Sequence, residues 1–398
     1  MVSLPEDAAV GPLAVLSRFR LDFHACLTAR SDELSELADA VLCAEGPVRN
    51  LAGLSLVPGH RRGHGALYDA VNTGRIDIAR LRRSLAGLPV PRAADGRLVL
   101  AVDVSNWLRP GAVTSPDRLF CHVYGRARGQ AQMIPGWPYS VIAALEPGRT
   151  SWTAVLDAVR LGPGSDDIAV TAAQVRDVVT RLIAAGHWRE GDPAILVIFD
   201  AGYDLTRLAC LLADLPAQVL GRLRSDRVMQ LPAPPRQPGT RGRSRKHGGE
   251  LALADPATWP APHVTTSTLT SRYGTAAATA WDRVHARLTH RAAWLDHDGP
   301  LPVIDGTLIR LQVDHLPGDR DPKPVWLWCP AAGVPPAGVD RLWQAFLRRS
   351  GPGAHLPAVQ AGPWLDHPED PRPASSGPVD VADHHLPHPA PPRPATDR

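Results

Sequence analysis

Apolar residues recur at helical spacing through residues 12–90, as in Leu13, Leu16 and Phe19 and again in Leu34, Leu37, Ala38 and Val41. The alternation that a half-buried strand requires is scarce there. Residues 1–92 are therefore expected to form a small helical domain. Within it, His64 to Tyr68 and Arg75 to Leu85 read as two short helices joined at Thr73-Gly74. That outline fits a DNA-reading helix-turn-helix and equally a plain helical hairpin.

From residue 93 the pattern changes. Leu98-Val99-Leu100-Ala101-Val102 is an unbroken apolar run ending in Asp103, as a strand buried on both faces would be. Leu119–Tyr124 and Tyr139–Leu145 are further strand candidates, with Pro135-Gly136-Trp137-Pro138 between them as turn residues. Val170–Ala185 has the periodicity of an amphipathic helix. A second buried-type strand, Ala194 to Phe199, ends in Asp200; a helix from Asp204 to Ala213 and a strand from Gln218 to Leu223 follow. The order β-β-β-α-β-α-β predicts an α/β fold with a mixed sheet over residues 93–224 and helices on its faces.

Residues 225–338 are rich in Pro, Thr and Trp with short apolar stretches at 292–295, 308–313 and 325–328, and read as a β-rich insertion. Helical spacing returns at 339–349, where Leu342, Phe346 and Leu347 share a side. Residues 350–398 are crowded with proline and histidine and keep no periodicity, so they are expected to be disordered.

Composition narrows the class. A chain of 398 residues, 44% hydrophobic and 21% charged, can bury a sizeable core. It holds no run of the roughly 18 apolar residues that a membrane helix needs. Glu6, Asp7, Arg18, Arg20 and Asp22 interrupt the start, where a signal peptide needs an apolar stretch, so a cytoplasmic protein with no membrane contact is expected. The five cysteines contain no C-x-x-C pair, which argues against a zinc site or disulfide framework and for ordinary buried thiols. A net charge of +3 is too small to imply a polyanionic partner, leaving that argument to local clusters.

Two features carry chemistry. Asp103 and Asp200 each sit at the carboxyl end of a buried strand, the edge at which open α/β sheets bind ligands. On neighbouring strands the two carboxylates would converge, and at about 4 Å they would repel strongly unless a cation lay between them. Mg²⁺ accepts one or two carboxylates together with water and substrate phosphates, which outlines a phosphoryl-transfer site. Strand-end aspartates also cap loops and helices, and Asp204 is expected to cap the helix after it. The second feature is the basic run from Arg236 to Lys246. It has almost no apolar residue, so it is either a phosphate-neutralising loop, with Arg241, Arg243, Arg245 and Lys246 as contacts, or solvated surface. His122, His187 and His285 stand alone and read as structural.

The segments Gly63 to Asp69, Leu98 to Asp103, Gly129 to Tyr139, Val197 to Asp204 and Lys323 to Trp328 resemble DDE transposases of bacterial insertion sequences, in particular an actinobacterial group. The resemblance runs from about Phe19 to Arg349. It implies a ribonuclease-H-like core with a β-rich insertion before the last catalytic helix, Asp103 and Asp200 as catalytic metal ligands, Mg²⁺ or Mn²⁺ as cofactor, and the double-stranded ends of an insertion sequence as partner. Action as a homodimer on DNA is compatible with that class. The family's third carboxylate lies in a signature of an aromatic, two residues, Arg, three residues, Glu, six residues and Lys. Phe346 and Arg349 supply its start, and Arg349 joins the expected DNA contacts. Gly353 and Gln360 then stand where Glu and Lys are expected, so there is no third carboxylate.

The genetic code accounts for this departure. Codons for Gly351 to Ala361, read one base later, permit Asp-Leu-Glu-His-Thr-Phe-Arg-Leu-Phe-Lys-Gln, with Glu and Lys at the family spacing. The tail thus reads as out of frame, through a shifted gene or a programmed frameshift. The expected function is a transposase inactive as translated. A non-catalytic protein that occupies element ends and represses transposition is the alternative, and an unrelated metal-dependent nuclease is disfavoured by the length of the resemblance.

Overall fold

The computed structural model describes residues 11–349 except 47, 49, 125–130, 148–152, 237, 240, 292, 293, 296 and 317–321. The expected disordered tail, 350–398, lies outside the described residues, as does part of the 292–295 stretch. The elements are α1 (Pro12–His24), β1 (Leu27–Ala29), α2 (Ser31–Cys43), α3 (Leu51–Leu54), α4 (His64–Thr73), β2 (Arg75–Ile76), α5 (Ile78–Ala86), β3 (Val99–Leu108), β4 (Leu119–Tyr124), β5 (Ala131–Leu145) and β6 (Thr153–Arg160). They continue with α6 (Asp167–Ala184), β7 (Ile195–Phe199), α7 (Leu205–Leu211), β8 (Ala217–Leu223), β9 (Val228–Gln230), β10 (Glu250–Ala252), β11 (Val264–Thr270), β12 (Gly274–Val284), β13 (Gly306–Val313), β14 (Val325–Cys329) and α8 (Pro336–Arg349).

The described residues between 12 and 86 form α1 to α5 and the short strands β1 and β2, around a small core of Ala40, Leu54 and Leu67. The two helices at 64–86 are α4 and α5, joined through β2, which pairs antiparallel with β1. Asp77 caps α5 by accepting from the Arg80 amide at 2.9 Å.

The rest of the fold is built on a ten-stranded mixed sheet in the order β11-β12-β13-β14-β8-β7-β3-β5-β4, with β6 also on β5. Strands β3, β7 and β8 run parallel to one another, and the other pairings are antiparallel. Alternation along the buried strands separates two cores. Leu100, Val102, Val197 and Phe199 face α6 and α7, whereas Val99, Ala101, Leu196 and Ile198 face α8. This two-sided burial is why those runs are continuously apolar.

Three sequence expectations need correction. The 135–138 segment is not a turn between strands: β5 runs unbroken through it, with Gly136 opposite both Leu108 and Leu119. A Cβ at Gly136 would lie 2.5 Å from the Trp107 carbonyl oxygen, so glycine here serves close backbone approach rather than turning. Secondly, β6 is an additional strand between β5 and α6, making the order β-β-β-β-α-β-α-β. Thirdly, Cys43 is exposed, although Cys26, Cys121 and Cys329 are buried.

Residues 225–338 are β-rich, and β11–β14 extend the same sheet rather than forming a separate one. Trp259, Trp281 and Trp326 pack edge-to-face and tilted at 5.2–5.8 Å between ring centroids, and supply much of the core there. Helix α8 buries Val339, Leu342, Trp343 and Phe346 against the opposite face. Asp340 fastens it to β11, accepting from Thr266 Oγ1 at 2.6 Å and from Trp343 Nε1 at 2.8 Å.

Candidate active site

Parallel pairing of β3 with β7 runs from Val99 opposite Leu196 to Ala101 opposite Ile198. Beyond it β3 continues to Leu108 on β5 alone, while β7 ends at Phe199. Asp103 and Asp200 emerge where the two strands part, on one edge of the sheet. Neither is fully buried, with side-chain exposures of 32% and 42%. Each carboxylate is fixed by the next amide: Val104 N donates to Asp103 Oδ1 at 3.0 Å and Ala201 N to Asp200 Oδ1 at 2.8 Å.

The side chain that unites them is Arg349, the last residue of α8. Its Nη2 lies 3.0 Å from Asp103 Oδ1 and its Nη1 3.4 Å from Asp200 Oδ2. One planar guanidinium thus bridges both carboxylates. Arg349 was expected against DNA; it is 8% exposed and turned inward, because the apolar face of α8 lies flat on the sheet and carries its last turn to this edge. Its Nε has no partner among the described residues.

Tyr203 completes the surroundings. Its ring packs on Phe199 at 5.1 Å, and its buried hydroxyl has no partner among the described residues. Burial, and then the negative charge of Asp103, push its pKa upward, so it remains a protonated donor beside the carboxylates. Asp204 lies outside this cluster and caps α7, accepting from Arg207 N at 3.0 Å, as expected. Among the described residues no group of three or more His, Cys, Asp or Glu side chains is arranged to hold a metal ion.

Elsewhere, the basic run lies between β9 and β10, and its Arg241, Arg243, Arg245 and Lys246 are exposed. No hydrogen bond or ion pair among the described residues ties them to the carboxylate edge. Lys246 Nζ donates to the Leu301 carbonyl at 3.2 Å. His187 is structural in the manner expected, its Nε2 lying 2.8 Å from the Ala86 carbonyl. His285 is not alone: it is buried, with Nδ1 3.1 Å from Asp305 Oδ1 and Nε2 2.9 Å from His247 Nδ1. Sequence spacing carried no sign of that chain, whose members lie on separate segments. Sequence reasoning also passed over Asp157 on β6, 4% exposed and held by Arg82 at 2.7 Å and Arg181 at 3.0 Å.

A family model described as DDE superfamily endonuclease fits residues 22–287, which contain Asp103 and Asp200 and stop short of α8. Among curated proteins, none matches the chain. No helix among the described residues is long and apolar enough to cross a membrane.

Proposed function

We propose, from the premise that the chain belongs to the DDE superfamily endonucleases, that it is a cytoplasmic insertion-sequence transposase whose centre is Asp103 and Asp200 and which is catalytically defective as translated. The observation that carries this reading is the bridged carboxylate pair. Two aspartates facing one arginine leave a net negative charge at a solvent-reached sheet edge, where a divalent cation gains most. Hard oxygen donors of this kind fit Mg²⁺ or Mn²⁺, which keep water and substrate phosphate as their remaining ligands. When bound, the cation supplies activation of an attacking water or 3′-hydroxyl and stabilisation of the leaving oxygen.

The chain's own residues prepare that chemistry. The amides of Val104 and Ala201 fix Oδ1 of each carboxylate and Arg349 faces Oδ2 of Asp200, which leaves Asp103 Oδ2 to face the ligand. Tyr203, protonated and buried against Phe199, backs the pair from within. Arg241, Arg243, Arg245 and Lys246 neutralise backbone phosphates of double-stranded DNA without reading its sequence. The antiparallel β3, β5, β4 and β6 beside the parallel β7 and β8 support a ribonuclease-H-like core, and residues 12–86 a helical N-terminal domain.

The missing third carboxylate, with Arg349 occupying the pair, supports a second reading in which the protein occupies element ends, as a homodimer, and represses cleavage by an intact enzyme. One experiment separates the readings. The 398-residue protein is expected to bind insertion-sequence ends and cut none with Mg²⁺ or Mn²⁺. A variant restored to the alternative frame after Arg349, carrying Glu at position 353, should cleave, and Asp103→Asn or Asp200→Asn should abolish that activity. Cleavage by the unrepaired protein that depends on Asp103 and Asp200 would show that another acid fills the third role.

A further inference from the structure

A second basic site lies away from the carboxylates. Arg243, Ser244, Lys246 and His247 of the loop before β10, together with Leu288, His290 and the segment Pro300–Val303, line a cavity of about 560 Å³. No acidic side chain lines it. Behind it runs the chain from His247 through buried His285 to Asp305.

The chemistry of these groups sets the direction of that chain. A carboxylate only accepts, so His285 Nδ1 carries the proton and donates to Asp305, with the Arg283 carbonyl as a second acceptor at 3.3 Å. His285 Nε2 is then the acceptor, and His247 Nδ1 donates to it. This leaves His247 Nε2 bare while the ring is neutral. The neighbouring charges favour that neutral state: His247 is held below its ordinary pKa by burial first, and then by His285, Arg287 and Lys246. An anion in the cavity reverses the balance, since it supplies the charge that a protonated His247 lacks, and Asp305 steadies the resulting imidazolium through His285.

We infer that this cavity is a phosphate subsite for a nucleic-acid backbone, in which Arg243 and Lys246 are fixed cations and His247 is a third, taken up with a proton when phosphate binds. The inference rests on the DNA-binding reading above and adds a place and a pH dependence to it. The groups facing His247 are Arg243, Lys246, Arg287, His285 and His290, with Asp305 behind. Phosphate raises the His247 pKa, so affinity is flat well above the bound-state pKa, rises as pH falls, and is flat again below the free-state pKa.

The test uses the full chain with a fluorescein-labelled random duplex, followed by anisotropy from about pH 8 to about pH 5.5, the range in which histidine charges. Wild-type affinity should rise by up to about tenfold for each unit by which phosphate shifts the imidazole pKa. His247→Gln should remove the rise and leave affinity at the alkaline end within about twofold, and Asp305→Asn should blunt it. His24→Gln, on α1 and outside the cavity lining, should leave the rise in place. Arg243→Ala with Lys246→Ala should weaken binding at every pH and reduce the log–log salt slope by about 0.9 for each phosphate no longer neutralised. A wild-type profile flat with pH, a rise that survives His247→Gln, or a salt slope indifferent to Arg243 and Lys246 overturns the subsite while leaving DNA binding intact. Calorimetry with inorganic phosphate distinguishes the converse: phosphate binding that follows His247 protonation without any duplex binding keeps the subsite and removes the DNA reading.

Discussion

Arginine and aspartate meet in opposite proportions at two places in the molecule. At Asp157 a single carboxylate, nearly sealed from solvent, is shared by Arg82 from α5 and Arg181 from α6. At the carboxylate edge a single arginine is shared by Asp103 and Asp200, both open to water. The first cluster carries net positive charge, joins three elements and engages both oxygens of Asp157. The second carries net negative charge and leaves Asp103 Oδ2 with no partner among the described residues. A cluster that only holds structure has its buried carboxylate paired from within, whereas one that serves a ligand keeps a negative excess that the ligand fills.

The largest expected effect lies at the closed cluster. Asp157→Asn strands two arginines and should cost about 3–5 kcal/mol, the range for breaking a buried ion pair by removing one partner. Asp103→Asn leaves Arg349 paired with Asp200 and should change stability by within about 1 kcal/mol. Urea unfolding of the two variants side by side measures both, and equal losses would erase the distinction between the clusters.

Next in size is Arg349→Met, which leaves the two carboxylates facing each other without a counter-charge. Mn²⁺ should then bind more tightly than to the wild-type protein. Metal at a hundred times its dissociation constant should stabilise the variant by about 2.7 kcal/mol, read as a rise in melting temperature. A rise no greater than the wild type shows would mean that Arg349 does not compete with the cation.

The smallest effect concerns the exposed pairs. Hydrogen bonds from Arg207 and Arg176 hold Asp166 and Asp214 below the usual carboxylate range. A carboxylate whose folded pKa lies below its unfolded value, about 3.9 for aspartate, adds stability above that value and loses it as pH falls through the folded one. Asp166→Asn retains the oxygen that caps α6 at the Ala169 amide but loses the ion pair. Its melting temperature should therefore fall less steeply below about pH 4 than that of the wild type, with little difference near neutrality. A wild-type slope in the variant would assign the acid limb to other groups.

Much of the architecture could be read from local pattern. Asp103 and Asp200 stood out because each closes or follows an apolar run that only a strand covered on both faces needs, and Asp204 because a carboxylate before a helical run caps it. The strand β6 was missed because Thr153–Arg160 mixes exposed, half-buried and buried positions, with a buried acid in place of an apolar residue. The prolines and glycine at 135–138 carry the composition of a turn, yet β5 runs through them: the Pro135 and Pro138 carbonyls still accept, from Arg109 N at 2.7 Å and Leu161 N at 2.9 Å, and Gly136 admits the close approach of Trp107. Arg349 reads as a helix-end cation in any local view. Its destination depends on where the apolar face of α8 seats on the sheet.

The sequence by itself determined most of the strands and helices of residues 93–224 and the two apolar runs that Asp103 and Asp200 follow, since these depend on neighbouring residues and their order. Only the tertiary structure decided that β11–β14 continue the central sheet, that one guanidinium spans Asp103 and Asp200, and that His247, His285 and Asp305 form one chain. Those facts join residues far apart along the chain, whose meeting depends on strand pairing and helix packing rather than on local preference.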